Sequence, residues 1–491
     1  MNKRIVCLVF LVYVAAWPAC RPLYSTSAEE NVSGHSAPEI YSADTILLPF
    51  PEVTIDTILF EGHRLTRDRT VRRELLFRSG DTLNTKELAK KTVGSRSNLM
   101  KTGLFNFVEV TIDESAYPSL VVTYTLIERW NIWPIPILEL DEPNLNQWLE
   151  NPSFSRINYG VNLLVINATG RNERIRLAAR AGNVQTLHFL LKTPYWGKKQ
   201  NLRWELCYSL DRTKRRAYNT ERNEQLFVKL ADDYAANEHL LASRLTFRPG
   251  HYNTHSMAVG YHNHHYADTL LTLNPRFGPD GKNSFSFFSL SYSFQRDRRN
   301  IIAYPLDGHL IDGSITRKGL SILSQENMDV TTLEGTIRHY IPLRPKWYAA
   351  WSINGKWSEG STLSYFDQQG LGFSRSLIRG YENYVVDGHK FLVIKSNLKY
   401  NLLPERVSEL GFIRTKKFSL IHYAIYLNIF ADAGIINDRH FNENNNLANK
   451  WLAGAGLGLD FHTYYDTVMR TELTLNRHGK AGLFFHLRAP I

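Results

Sequence analysis

From about residue 156 to its end, the chain alternates apolar and polar side chains with period two, and charged residues crowd one of the two faces. Ile175, Leu177, Ala179 and Ala181 share a face, with Arg174, Arg176 and Arg180 on the other. Trp347, Ala349, Trp351, Ile353 and Trp357 stand against Lys346, Ser352, Asn354 and Lys356. Ile421, Tyr423, Ile425, Leu427 and Ile429 oppose His422, Asn428 and Asp432; Ala453, Ala455, Leu457, Leu459 and Phe461 oppose Gly454, Gly456, Gly458 and Asp460. A soluble sandwich also alternates, but its inner face does not take this many charges. Apolar outside and polar inside is the pattern of a transmembrane β-barrel. Sixteen antiparallel strands are predicted, starting near 156, 172, 185, 201, 224, 238, 254, 283, 308, 326, 346, 390, 419, 450, 467 and 480. The count is even, as single-chain bacterial barrels require.

Composition narrows the alternatives. The 491 residues carry 58 Lys+Arg against 47 Asp+Glu, and the 43% hydrophobic content excludes a disordered chain. Beyond the N-terminus no apolar run reaches the roughly 18 residues of a membrane-spanning helix. Three cysteines, two of them within the first 20 residues, exclude a disulfide scaffold and a zinc-cluster module. There is no phosphate-binding loop, nucleophile elbow or His-Glu-x-x-His, so no enzyme, cofactor or metal is expected. His262, His264 and His265, with His251 and His255 nearby, read as a hydrated rim. Arg and Lys alternate within strands instead of forming a patch, which argues against a nucleic-acid partner.

Lys3 and Arg4 precede an apolar run from Ile5 to Trp17, the proportions of a signal peptide over 1–19. Cys20 after Pro18-Ala19 is a candidate for lipid attachment, although Trp17 stands where a lipobox usually has Leu or Val. Residues 20–50, rich in Ser, Ala, Glu and Pro, read as a tether. A small α+β domain follows over 51–129: a strand over 53–60, helical spacing over 67–77, a second helix capped by Asn84 and two more strands over 107–112 and 120–127. Residues 130–155 are expected to be a linker and 156–491 the barrel.

The β-α-α-β-β order, punctuated by Gly62-His63, Gly80-Asp81 and Gly103-Leu104-Phe105, resembles the polypeptide-transport-associated (POTRA) domain. The loop after the predicted eleventh strand holds Ile378-Arg379-Gly380-Tyr381, and the thirteenth strand holds Phe430-Ala431-Asp432-Ala433-Gly434. These resemble the VRG(F/Y) and FxDxG motifs of the outer-membrane assembly superfamily typified by BamA and TamA.

The resemblance implies that the external loop folds back into the lumen and that Arg379 docks near Asp432. Family members often pair a Glu on strand twelve with an Arg on strand fourteen. Here Lys399 and Asp460 stand there, a candidate charge-swapped pair. The seam is expected between the first strand, Arg156 to Asn167, weakened by Gly160, and the last, Lys480 to Ala489, where Phe485 and Leu487 replace the usual terminal aromatic.

The function implied is insertion or export. Unfolded clients are received at the POTRA domain and released through a lateral seam, in the outer membrane of a Gram-negative bacterium with the POTRA domain in the periplasm. Partners are the clients, outer-membrane lipids, and periplasmic or lipoprotein accessory subunits. The alternatives are a two-partner-secretion-like translocon, passing a dedicated protein through the lumen, and a passive or structural barrel.

Overall fold

A computed structural model describes residues 52–113, 115, 117–140, 157–323, 328–372, 377–409, 420–438, 444–463 and 467–486. The predicted signal peptide, the tether with Cys20, and Leu487 lie outside the described residues.

The N-terminal unit comprises β1 (Glu52–Glu61), α1 (Asp68–Arg72), β2 (Thr82–Asn84), α2 (Thr85–Lys101), β3 (Phe105–Asp113) and β4 (Ser119–Glu128). Its sheet order is β2-β1-β4-β3, with β1 parallel to β4. Asn84 caps α2 by accepting from the Glu87 amide at 2.7 Å, satisfying a donor the helix itself leaves open. The helix buries Leu88, Leu99 and Met100, in one core with Ile55, Val122 and Tyr124 of the sheet. The order matches expectation apart from two details: the three-residue β2 is added, and α1 covers only part of 67–77.

Among the described residues, sixteen strands form a single antiparallel barrel sheet. They are β5 (Ile132–Leu140), β6 (Ile157–Ile166), β7 (Arg174–Ala181), β8 (Val184–Lys192) and β9 (Leu202–Thr213), then β12 (Ala236–Phe247), β13 (Asn253–Tyr266), β14 (Ser284–Asp297), β15 (Gly308–Lys318) and β16 (Val330–Arg344). The rest are β17 (Trp347–Gly360), β18 (Lys390–Glu409), β19 (Leu420–Asn437), β20 (Trp451–Thr463), β21 (Thr467–Asn476) and β22 (Ala481–His486). Outside the barrel, β10 (Arg215–Glu221) and β11 (Glu224–Lys229) pair only with each other. A short helix, α3 (Asp268–Leu273), follows β13. Among the described residues no helix is long and apolar enough to cross a membrane.

The predicted alternation is realised. Leu177, Trp351, Leu427, Leu457 and Leu483 are exposed on the outer wall, while Asn428, Asp432, Asp460 and Glu472 are buried on the lumenal side. Two assignments are corrected. The strand β5 occupies part of the expected linker 130–155, so the barrel begins before residue 156. The strand expected near 224 belongs to the β10–β11 hairpin, which alternates like a barrel strand but pairs outside it. The two errors cancel, and the total of sixteen stands.

The N-terminal unit docks on the turns at one end of the barrel. The Arg67 amide bonds the Gly170 carbonyl in the β6–β7 turn, and Arg73 Nε reaches the Gln200 carbonyl in the β8–β9 turn. Ser97 Oγ donates to the Asn300 carbonyl in the β14–β15 turn. The centre of this interface is Glu74, gripped at 2.9 Å through each oxygen by Arg248 of the β12–β13 turn. Burial alone raises the Glu74 pKa, yet the cations of Arg248 and then Arg73 overcome it and hold the carboxyl at about 2. A carboxylate depressed on folding stabilises the docked state above its ordinary pKa and loses that contribution as pH falls towards 2. Glu74→Gln is therefore expected to cost docking on the order of 3 kcal/mol by leaving Arg248 without its partner. It is also expected to abolish the part of the pH dependence that lies between about pH 5 and 2. Proteolysis between the two units, followed across pH, measures both; an unchanged cleavage profile contradicts the assignment.

A lumenal loop contact and an edge strand

Residues 430, 432 and 434 are two apart, so β19 sends all three side-chain positions to the lumen. The returning loop between β17 and β18, residues 361–389, places Arg379 against them. Its Nε donates to Asp432 Oδ2 at 2.8 Å, its Nη2 to Asp432 Oδ1 at 2.5 Å, and its backbone amide to Oδ2 at 3.1 Å. The fork matches the carboxylate edge for edge. Phe430 lies under the guanidinium, 3.9 Å from ring centroid to carbon, and supplies a cation–π face. Gly434 leaves room for Ile378: a Cβ there would stand 2.7 Å from Ile378 Cδ1. The spacing of the strand motif is thus a cradle with a carboxylate for the edge of the arginine, an aromatic for its face and a gap for the residue before it.

The neighbouring strand completes the cradle. Gly454 sits opposite Asp432 in the ladder, and a Cβ at that position would fall 1.9 Å from the Arg379 carbonyl. Gly454 is therefore the space through which the loop passes, and Gly456 makes room for the Phe430 ring, 2.7 Å from where its Cβ would stand. Gly380 takes φ +91°, a left-handed conformation that any side chain would strain, and its carbonyl accepts from Asn476 Nδ2 at 2.9 Å. Tyr381 is buried with Ile378, Leu371, Val386, Leu447 and Leu452 in an apolar cluster that anchors the loop. Of the six residues expected here, Arg379 meets Phe430 and Asp432 directly, Gly434 adjoins the preceding Ile378, and Gly380 and Tyr381 pack against Asn476 and the apolar cluster.

The expected Lys399–Asp460 pair does not form. Asp460 faces Arg470 across the β20–β21 ladder; Arg470 bonds it through Nε and, at 2.6 Å, through Nη2. Tyr304, from the β14–β15 turn, also donates to Asp460 Oδ2 at 2.6 Å. Lys399 instead rests 4.1 Å over the Tyr304 ring. The residue that joins the two arginines is Glu472, whose Oε1 lies 3.3 Å from Arg379 Nη1 and 3.5 Å from Arg470 Nη1. Arg470 and Glu472 share a face by simple alternation on β21, a visible signal; Tyr304 sits on a turn and gives none.

The expected seam is also corrected. Gly160 lies on the second barrel strand, bonded on both sides, and a Cβ there would fall 2.1 Å from the Ala179 carbonyl of β7. It relieves crowding between neighbours. The sheet's ends are β5 and β22, and among the described residues no ladder joins them. The Ile166 amide donates to the Asn131 carbonyl at 2.8 Å, and Ile132 faces Val165. In an antiparallel pair, bonded and non-bonded residues alternate. Odd-numbered residues of β5 therefore bond β6, and even-numbered ones turn their main-chain groups to the free edge. Two of those are Pro134 and Pro136, which have no N–H to offer. Phe485 is exposed on the outer face of β22.

The histidines expected at a hydrated rim are instead packed: His262 and His264 are buried, with His262 stacked on Phe287 at 4.5 Å and on His264 at 6.0 Å, while His251 of the β12–β13 turn bonds the Arg73 carbonyl at 3.0 Å.

Comparison with known proteins agrees with this architecture. A profile described as the Omp85 superfamily domain matches residues 167–463, and a POTRA profile, described as a surface antigen variable number repeat, matches 53–129. Among solved structures, CdiB from Escherichia coli is 14% identical with a TM-score of 0.50, covering 89% of this chain and 75% of its own. BamA from Haemophilus ducreyi lacking POTRA domains 1–3 is 15% identical with a TM-score of 0.49, covering 89% of this chain and 83% of its own. No curated protein matches by sequence. With its described strands, its POTRA unit and the matched span, the chain belongs to the Omp85 superfamily, the BamA/TamA type of outer-membrane β-barrel with a periplasmic POTRA domain that serves protein insertion and transport.

Proposed function

We propose that this protein inserts or exports outer-membrane clients by opening laterally between β5 and β22, in a Gram-negative outer membrane. The observation that carries the reading is the edge of β5, which has no ladder partner among the described residues. A barrel in lipid must satisfy every edge group, because hydrocarbon offers no partner. Of five edge-facing residues on β5, two are prolines, so closure loses donors at successive positions and the ladder is weak by construction. In a passive barrel that weakness is a liability; in an insertase it lets the edge release its partner and accept a client strand through its carbonyls. At the other end, β3 has no strand on its outer side among the described residues and is the edge at which the POTRA domain takes unfolded clients.

Passage through the lumen is disfavoured because the loop carrying Arg379 turns into it and is bonded to the inner wall at Asp432 and Glu472. The outer mouth is also packed by Tyr266, Phe277, Phe285, Phe287 and Tyr365. The clients, surrounding lipids and periplasmic or lipoprotein subunits are the partners of this reading.

Cysteine pairs between residues 133–139 and 482–486, in a Cys207→Ser background, test it. Complete crosslinking, confirmed by gel shift, is expected to abolish activity, and reduction to restore it. Full activity in the crosslinked protein overturns lateral opening and favours the lumenal route of a two-partner-secretion-like translocon.

A further inference from the structure

Three side chains with ligand capacity to spare converge beside the lock. Glu382 comes from the returning loop, Glu472 from β21 and His486 from the last strand, β22. One ligand atom from each lies within 4.8 Å of the other two. Each residue has its remaining capacity pointed at this spot. Glu382 uses Oε2 to accept from the Gly380 amide at 2.8 Å, and Oε1 has no hydrogen-bond partner. Glu472 uses Oε1 on the two arginines, and Oε2 has none. His486 Nε2 has none either, although it stands 3.2 Å from Glu472 Oε2 and 4.0 Å from Glu382 Oε1. Glu472 is fully buried and the Glu382 side chain is 9% exposed. Glu382 Oε1 is thus a buried carboxylate oxygen without a hydrogen bond, and Glu472 Oε2 meets only the His486 ring, an arrangement that is costly unless something sits between the three.

We propose that Glu382, Glu472 and His486 bind a divalent zinc ion that ties the lumenal loop to the strand at the sheet's open end. Zinc takes imidazole nitrogen and carboxylate oxygen at about 2.0–2.2 Å, in tetrahedral sites that place ligand atoms about 3.3–3.6 Å apart. The histidine–Glu472 spacing is already close to that, and the others close by about 1 Å of side-chain rotation. Three protein ligands leave the fourth position to water. The second carboxylate oxygens are held by a backbone amide and by arginines, the kind of outer support that orients metal ligands. The residues lie 90 and 14 positions apart, so no spacing motif announces them.

The test uses the full chain in detergent micelles, stripped with chelator and titrated with zinc chloride against a fluorescent zinc indicator. Wild type is expected to bind about one ion per chain, with Glu382→Gln and His486→Gln at least about tenfold weaker. Zinc should also slow protease cleavage within 361–389 in wild type and leave both variants unaffected. Folding of each variant is checked by the mobility difference between boiled and unboiled samples. If His486→Gln fails that check, Glu382→Gln, which alters only the loop, decides. Absence of stoichiometric binding in wild type, or wild-type affinity in a folded variant, overturns the site.

Discussion

Arg379→Ala is expected to leave a folded barrel whose external loop is cut by added protease and whose activity falls by tenfold or more. The arginine is fully buried and serves Asp432 and Glu472 together, both equally buried. Removing it strands Asp432 in a confined lumen and leaves Glu472 with Arg470, a penalty on the order of 3 kcal/mol even after water enters. The loop then keeps its apolar cluster around Tyr381 and polar ties such as Asn476 to the Gly380 carbonyl, which hold it in place without fixing its register against β19. Arg379→Lys should recover part of the effect, because an ammonium meets one carboxylate but cannot fork across it or spread over Phe430. Protease resistance identical to wild type, together with full activity, would rule the lock out.

The second large effect concerns Arg470. Arg470→Met removes the partner of Asp460 and one of the two partners of Glu472, and should destabilise the barrel on the order of 3 kcal/mol. Asp460→Asn in the same chain should return a substantial part of that loss, with a coupling of about 1–3 kcal/mol in the double-mutant cycle, since the stranded charge is then gone. The same geometry decides the charge-swap experiment that the sequence invites. Lys399→Glu with Asp460→Arg will not rescue: an arginine in place of Asp460 would face Arg470 directly across the ladder. Rescue in that pair would mean that Lys399 and Asp460 do meet, contrary to the observed network.

What the sequence discloses depends on whether a residue's role follows from its own strand or from its neighbours. Alternation alone assigns Phe430, Asp432 and Gly434 to the lumen, and the loop motif supplies Arg379. The choice of partner for Asp460 needs the register between strands, which places Arg470 opposite it and Lys399 two strands away. The first barrel strand was hidden by Pro134 and Pro136, because prolines demote a segment to an edge strand or to no strand at all. An edge strand is what it is. Conversely, 224–229 has the alternation of a barrel strand but pairs back on β10. Gly160 reads as a weak point by propensity, yet the close β7 backbone requires it, a case of packing overriding propensity.

The most direct test of lateral insertion is to quantify outer-membrane proteins after depletion, with rescue by the β5–β22 disulfide variant in its oxidised and reduced states. The account predicts that several barrel proteins fall on depletion, return with the reduced variant and stay low with the oxidised one. Outer-membrane barrels that hold at wild-type levels while one exported protein disappears, or full rescue by the oxidised form, would contradict it.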